Sequence, residues 1–267
     1  MEVSRSRFYV YLNRLKRPDD PDLLASKTRI KAIFKEHRGK YGSRRILKQL
    51  KADSHPIGRY KVRRLMRELG LKAKAPKRYK VTTDSRHSFP VAPNLLNRKF
   101  DVDEPNRFWA TDITYIWSLE GWLYLAVVLD LYSRQIVGWA IDKRMKKQLT
   151  LDALAMAYWR RKPAPGLLHH SDRGSQYACR DYRKRLEQYG MVASMSRKGN
   201  CWDNAPTERF FRSLKSERLS DYRFVTRQSA EMQILDYISY YNSIRLHSTL
   251  GYKTPFAYEK ELCRKAA

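Results

Sequence analysis

A chain of 267 residues with 42% hydrophobic content has room for one sizeable domain and a small one, with enough apolar surface to fill a core. Its 55 Lys and Arg against 27 Asp and Glu leave a formal charge of +28, spread along the whole sequence, which points to a polyanion and most often to nucleic acid, though composition alone fits a ribosomal protein equally well. Cys179, Cys201 and Cys263 lack the paired spacing of a disulfide scaffold or zinc ribbon, the start MEVSRSRFYVYL lacks a signal-peptide core, and the longest apolar run, Trp122 to Leu129, is far short of the roughly 20 residues of a membrane span; the expectation is a cytoplasmic protein with no membrane partner.

Residues 1–22 form an N-terminal segment with no assigned element. Residues 23–71 read as three short amphipathic helices. Ile30, Ile33 and Phe34 form one apolar set, Ile46, Leu47 and Leu50 a second, and Val62, Leu65, Met66 and Leu69 a third, with Lys and Arg opposite. Breaks at Gly39 to Gly42 and His55 to Gly58 separate them. The last two resemble a helix-turn-helix pair, with GRYKVRRLMRELGL as recognition helix. Arg44, Arg45, Arg59, Lys61, Arg63 and Arg64 are its candidate DNA contacts. Residues 72–106 have scattered Pro, Lys and Ser and no sustained period; they read as a basic linker that lies along DNA or stays mobile, with Lys77 and Arg78 as further contacts.

Arg107 to Trp117, Trp122 to Leu131 and Gln135 to Ile141 read as three strands of an antiparallel meander. Helical spacing follows over Leu149 to Trp159, then a short strand at Gly166 to His169, a helix over Ser175 to Tyr189, and a strand around Met191 to Ser194. Asp203, Asn204 and Pro206, residue types that cap or open helices, mark the start of a helix carrying Glu208, Arg212 and Lys215 on one face. One more helix, Gln228 to Tyr241, is expected to turn Met232, Leu235, Ile238 and Tyr241 or Asn242 to one side.

Three acids stand out. Asp112 lies mid-strand in WATDITYIW, where a carboxylate is desolvated unless a cation compensates; a divalent metal or a structural arginine would serve. Asp172, in HHSDRGSQY, reads equally as a site residue or as a cap before Ser175. Glu208 is favoured near a helix start for dipole reasons alone. Asp130 and Asp142 read as turn residues or as partners of a site. The triple carries the inference, because 35 residues separate Asp172 from Glu208.

Two strand aspartates and a helical glutamate at that interval resemble the DDE triad of transposases and retroviral integrases. The words DITYI, HSDRGSQY, SRKGNCWDNAPTERFFRSLKSE and YNSIRLHSTLGYKTP resemble, in order, the second-reading-frame (OrfB-type) catalytic protein of the bacterial insertion-sequence family that makes its transposase by programmed frameshifting. The likeness runs from roughly Tyr41 to Pro255. It implies an α/β ribonuclease H-like catalytic core at residues 107–219, preceded by the helix-turn-helix-like domain and followed by a C-terminal helical extension at residues 220–267.

The resemblance further implies a nucleoid-associated bacterial enzyme that cuts and joins the terminal inverted repeats of its element. Asp112, Asp172 and Glu208 would share two Mg²⁺ ions, with Mn²⁺ substituting. Lys215 would grip phosphate beside the scissile bond, and His170 would hydrogen-bond near the site or touch that phosphate. Arg173, Lys198, Arg212, Arg245 and His247 complete the expected DNA contacts; for Arg245 and His247 helix packing is an equal alternative. Partners would be double-stranded transposon ends and target, further copies of the chain on DNA, and the upstream-frame helix-turn-helix and coiled-coil protein, of which this chain looks like the catalytic half alone. No cysteine precedes Cys179, so the zinc domain of retroviral integrases is not expected. A non-enzymatic DNA-binding regulator and a ribonuclease H-like nuclease or junction resolvase are the competing readings.

Overall fold

The computed structural model describes residues 4–16, 20–73 and 89–265. Lys77 and Arg78 fall outside them. The chain divides into two compact units, Met1–Ala75 and Pro76–Ala267.

In the first unit α1 (Arg5–Lys16), for which the sequence offered no period, is followed by α2 (Pro21–Glu36), α3 (Ser43–Ala52) and α4 (Arg59–Glu68). Ile30, Ile33, Ile46, Leu50, Val62, Leu65 and Met66 are buried, as their spacing requires, and Tyr41 and Ile57 in the connections complete the core. Two ties hold α2 to the turn after α3: Ser26 Oγ lies 2.8 Å from His55 Nε2, and Arg29 is paired with Asp53. Arg44, Arg59, Lys61, Arg63 and Arg64 stay exposed, while Arg45 stacks over the Tyr41 ring at 5.1 Å.

The second unit is a five-stranded sheet in the order β3-β2-β1-β4-β5. Strands β1 (Phe108–Ser118), β2 (Gly121–Asp130) and β3 (Ile136–Asp142) form the antiparallel meander; β4 (Leu168–Ser171) and β5 (Val192–Met195) run parallel to β1. Helix α5 (Lys147–Arg161), then α6 (Ser175–Ala178) and α7 (Arg180–Gln188), cover one face; α8 (Ala205–Glu217) and α9 (Arg227–Ser243) cover the other. The strand β2 shows why its sequence is nearly unbroken in apolar residues. Leu123, Leu125, Val127 and Leu129 face α8 and α9, while Ala126 and Val128 face α5, so neither side meets water. On the α5 side the approach is close: a Cβ at Gly138 would fall 2.3 Å from the Ala153 carbonyl and 2.7 Å from the Ala157 methyl. This architecture is the ribonuclease H-like fold.

Four expectations change. The helix over Ser175 to Tyr189 is two helices, because Cys179 adopts an extended backbone (φ −64°, ψ 153°). Residues 89–106 are stitched to the core rather than free: Leu96 is buried among α8 and α9 residues, and the Leu95 and Leu96 amides donate to Ser194 Oγ. On α9 the buried side is Ala230, Ile234, Tyr237, Ile238, Tyr241 and Asn242, an i, i+4, i+7 stripe that includes the expected Ile238, Tyr241 and Asn242 and leaves Met232 and Leu235 exposed beside it. A further helix, α10 (Pro255–Lys265), follows α9.

Candidate active site

The pairing of β1 with β4 runs from Phe108 with Leu168 to Ala110 with His170 and then stops. Continued in the same register, it sets Asp172, the first residue beyond β4, beside Asp112 on β1. Loops beyond the carboxyl ends of parallel strands are where side chains of different strands converge on a ligand. The third acid arrives from α8. Asn204, at the start of that helix, caps nothing; its buried Nδ2 instead donates to the Thr111 carbonyl at 3.0 Å, pinning α8 to the residue before Asp112. Glu208 follows one turn later.

Each aspartate is held by backbone: Asp112 Oδ1 accepts from the Ile113 amide at 2.8 Å and Asp172 Oδ1 from the Gly174 amide at 2.9 Å. Asp172 is thus not the N-cap of α6; that position is Gly174. Among the described residues no arginine pairs with Asp112. Burial pushes its carboxyl well above the usual range, and the charges of Asp172 and then Glu208 push it further, opposed by the Ile113 amide and the Lys215 ammonium. Burial also raises Glu208. Lys215 is lowered to about 8 by burial, with Asp112 acting against that loss. Beneath the aspartates, Thr111 Oγ1 donates to the Val127 carbonyl at 2.7 Å, so the Tyr177 hydroxyl at 3.3 Å must donate to Thr111. Burial, Tyr182, Asp112 and Asp172 together hold Tyr177 protonated.

Three mutually repelling carboxylates with one neighbouring ammonium form an excess of negative charge that a hard cation would neutralise, and every donor is oxygen, as Mg²⁺ prefers. Among the described residues no three His, Cys, Asp or Glu form a ready cage for a single ion.

Comparison with known proteins gives the context. Residues 102–201 and 189–255 match integrase core domain models, and residues 21–79 match an HTH-like domain. The insertion element IS600 uncharacterized 31 kDa protein of Shigella sonnei is 44% identical over 99% of this chain and 98% of its own length. The transposase for insertion sequence element IS904 of Lactococcus lactis is 43% identical over 87% and 92%. The chain belongs to the insertion-sequence transposases. A chain of the simian T-cell lymphotropic virus intasome, solved in complex with PP2A regulatory subunit B56 gamma, superposes with a TM-score of 0.52 at 16% identity, covering 79% of this transposase and 70% of that chain; it shares the fold. The transposase is a DDE-type polynucleotidyl transferase with an integrase core, and neither the regulator nor the resolvase reading finds support. Among the described residues no helix is long and apolar enough to cross a membrane.

Three of the residues expected at the DNA are buried in the transposase, in the packing or near-site hydrogen-bonding role that was the alternative for each. His170 is fully buried with both ring nitrogens engaged: Nδ1 lies 2.9 Å from Ser194 Oγ and Nε2 lies 3.1 Å from Ser196 Oγ. Ser194 Oγ already accepts two amides, so its proton goes to Nδ1, and Nε2–H donates to Ser196, which bonds the Ser171 carbonyl. Burial lowers this imidazole to about 4, and no donor is left for a phosphate. Arg245 is buried in a two-pronged bond to Glu217, at 2.7 Å from each oxygen, with Tyr237 donating to the same carboxylate. His247 is buried beside it, its Nε2 accepting from Arg245 at 3.3 Å and its ring edge-on to Tyr241. These residues bolt α9 to the end of α8. Lys198 and Arg212 are exposed, and Arg173 is partly buried with Nε donating to the Ser196 carbonyl at 2.7 Å.

Two further acids do structural work, Asp130 in the turn role expected of it and Asp203 in one that local sequence did not reveal. Asp203 is buried and accepts from Arg197, Arg98 and Asn94; Arg197 most, then Arg98, hold its carboxyl far below the usual range. Asp130 is buried, accepting from the Asn106 and Ser133 amides. Asp142 accepts from the Arg144 amide, the turn role expected of it. The partners of Asp203 from residues 89–106 lie so far away in sequence that no spacing rule joins them.

Proposed function

We propose that Asp112, Asp172 and Glu208 are the catalytic carboxylates of this transposase and act on the terminal inverted repeats of its insertion sequence. The observation that carries the reading is that the β1–β4 register sets Asp172 beside the partly buried Asp112 while the Asn204–Thr111 bond holds α8, with Glu208 on it, against the same strand. The three would hold two divalent cations, Mg²⁺ or Mn²⁺. When bound, such a pair neutralises the phosphate and activates the attacking oxygen of an in-line displacement. The chain's own groups then position and bind: Asn204 keeps α8 against β1, Lys215 contacts a phosphate flanking the scissile bond, and Arg173, Lys198 and Arg212 bind the strand further out. Water as nucleophile gives cleavage and a DNA 3′-OH gives joining, with no protein-linked intermediate.

The helical region, residues 23–71, binds DNA through the exposed face of α3 and α4, with Arg44, Arg59, Lys61, Arg63 and Arg64; residues 72–106 join it to the core at 107–219, with residues 220–267 as a helical extension. Further copies of the chain on DNA and an upstream-frame helix-turn-helix protein complete the assembly, in a bacterial cytoplasm at the nucleoid. Supplying a precleaved DNA end with a free 3′-OH tests the reading. The transposase joins it to a second duplex in Mg²⁺, whereas a plain nuclease leaves it unjoined.

A further inference from the structure

We propose that Tyr115, Trp117 and Trp122 form a stacking platform for unpaired bases of the DNA strand held at the carboxylates. The proposal rests on the assignment of Asp112, Asp172 and Glu208 as the place of the scissile phosphate.

The three rings make a continuous row. Tyr115 and Trp117 project from one face of β1, and Trp117 is the register partner of Trp122 on β2. Trp122 meets Tyr115 edge to face at 5.1 Å and Trp117 at 4.8 Å. The core does not use the two indoles: Trp117 is 54% exposed and Trp122 43%, while the next register pair, Ile116 and Leu123, is buried on the opposite face. A pair of half-exposed tryptophans at a hairpin end is costly to keep wet and gains most from a flat apolar partner.

Charge indicates what that partner is. Strand alternation turns Asp112 to the other face of β1 from Tyr115 and Trp117, and the Lys215 ammonium, 4.9 Å from the Tyr115 centroid and also acting on Asp112, links the row to the carboxylates. At the far end Arg227 Nε donates to the Trp122 carbonyl at 3.1 Å. Glu120, in the turn between β1 and β2, accepts from the Arg227 amide at 2.8 Å. Aromatic faces between two cations match a strand whose phosphates follow the cations while its bases lie on the rings. From Asp112 to Tyr115 is roughly 10 Å along the strand and to Trp117 roughly 17 Å. Paired bases hide their faces in their own stack, so the platform takes nucleotides that have left the duplex.

The test uses the full chain and two duplexes of arbitrary sequence, alike in backbone charge, one ending in five unpaired thymidines and the other in five abasic residues. Stacking is sequence-tolerant, so the wild type should bind the thymidine end roughly tenfold more tightly. Trp117→Ala with Trp122→Ala should bring that ratio close to one without changing the salt dependence, and Trp117→Phe with Trp122→Phe should keep most of it. A ratio of one in the wild type overturns the proposal, and so does a ratio that survives the alanine pair. An alanine pair that keeps the ratio but sediments as a smaller species would instead make the face a contact between copies of the chain. Should the alanine pair fail to fold, the wild-type comparison and the phenylalanine pair decide. Asp112→Asn should retain the ratio while losing joining, so the platform and the carboxylate assignment fail separately.

Discussion

Asn204 is the residue whose role is least visible in its own neighbourhood and most consequential for the site. Its single bond to the Thr111 carbonyl is the side-chain link between the start of α8 and β1, and its own Oδ1 is buried without a partner. Asn204→Ala should cost about 1 to 3 kcal/mol of stability, the scale of a lost buried hydrogen bond with its acceptor left unpaired. Because Glu208 moves with α8, the rate of joining should fall further than stability requires, while the DNA dissociation constant stays put; urea unfolding and single-turnover joining measure the two. A second residue-scale expectation concerns His169. Burial, then His170, lower its folded value to about 3, against about 6.5 in an unfolded chain. A lowered imidazole leaves stability intact above the unfolded value and removes it as pH falls from there toward the folded one. The loss at pH 5 should be about 2 kcal/mol for this group. His169→Asn should flatten that slope between urea midpoints at pH 7.5 and 5.

At the scale of elements, the placement of α8 is set from both ends: Asn204 fixes its start, and the Glu217–Arg245 pair fixes its end against α9. Arg245→Ala should therefore destabilise the second unit by roughly 3 to 5 kcal/mol, since it strands a partly buried carboxylate. It should leave the salt slope of DNA binding unchanged, which separates packing from phosphate contact; a slope reduced by about one would return Arg245 to the interface. Much of this layer was legible beforehand. The meander, α5, the short parallel strands and the acid-bearing helix follow from alternation, apolar runs and helical spacing, because both faces of the sheet are buried and local pattern reports burial. What stayed hidden was long-range. Nothing near Leu96 says that it fills a core gap beside α8, nothing near Asp203 says that Arg98 will reach it, and the bland basic-aromatic word around Arg245 hid an inward-facing pair. The carboxylates were legible only as a set, since a cap, a dipole partner and a salt-bridge acid each explain one of them.

For the molecule as a whole, a charge of +28 makes counterion release the main source of DNA affinity. Affinity for any duplex should fall steeply and log-linearly with salt, and Arg59, Lys61 and Arg63 changed singly to Ala should each reduce that slope by about one, read by anisotropy titrations across salt. The charge binds, but the carboxylates react, and the two functions should come apart under substitution. The decisive measurement is joining of a precleaved 3′-OH end to a second duplex in Mg²⁺ by the wild type beside Asp112→Asn, Asp172→Asn and Glu208→Gln. All three variants should bind the DNA as the parent does and lose joining by several orders of magnitude. Joining at parental rate by any one of them would contradict the assignment of that carboxylate to the reaction.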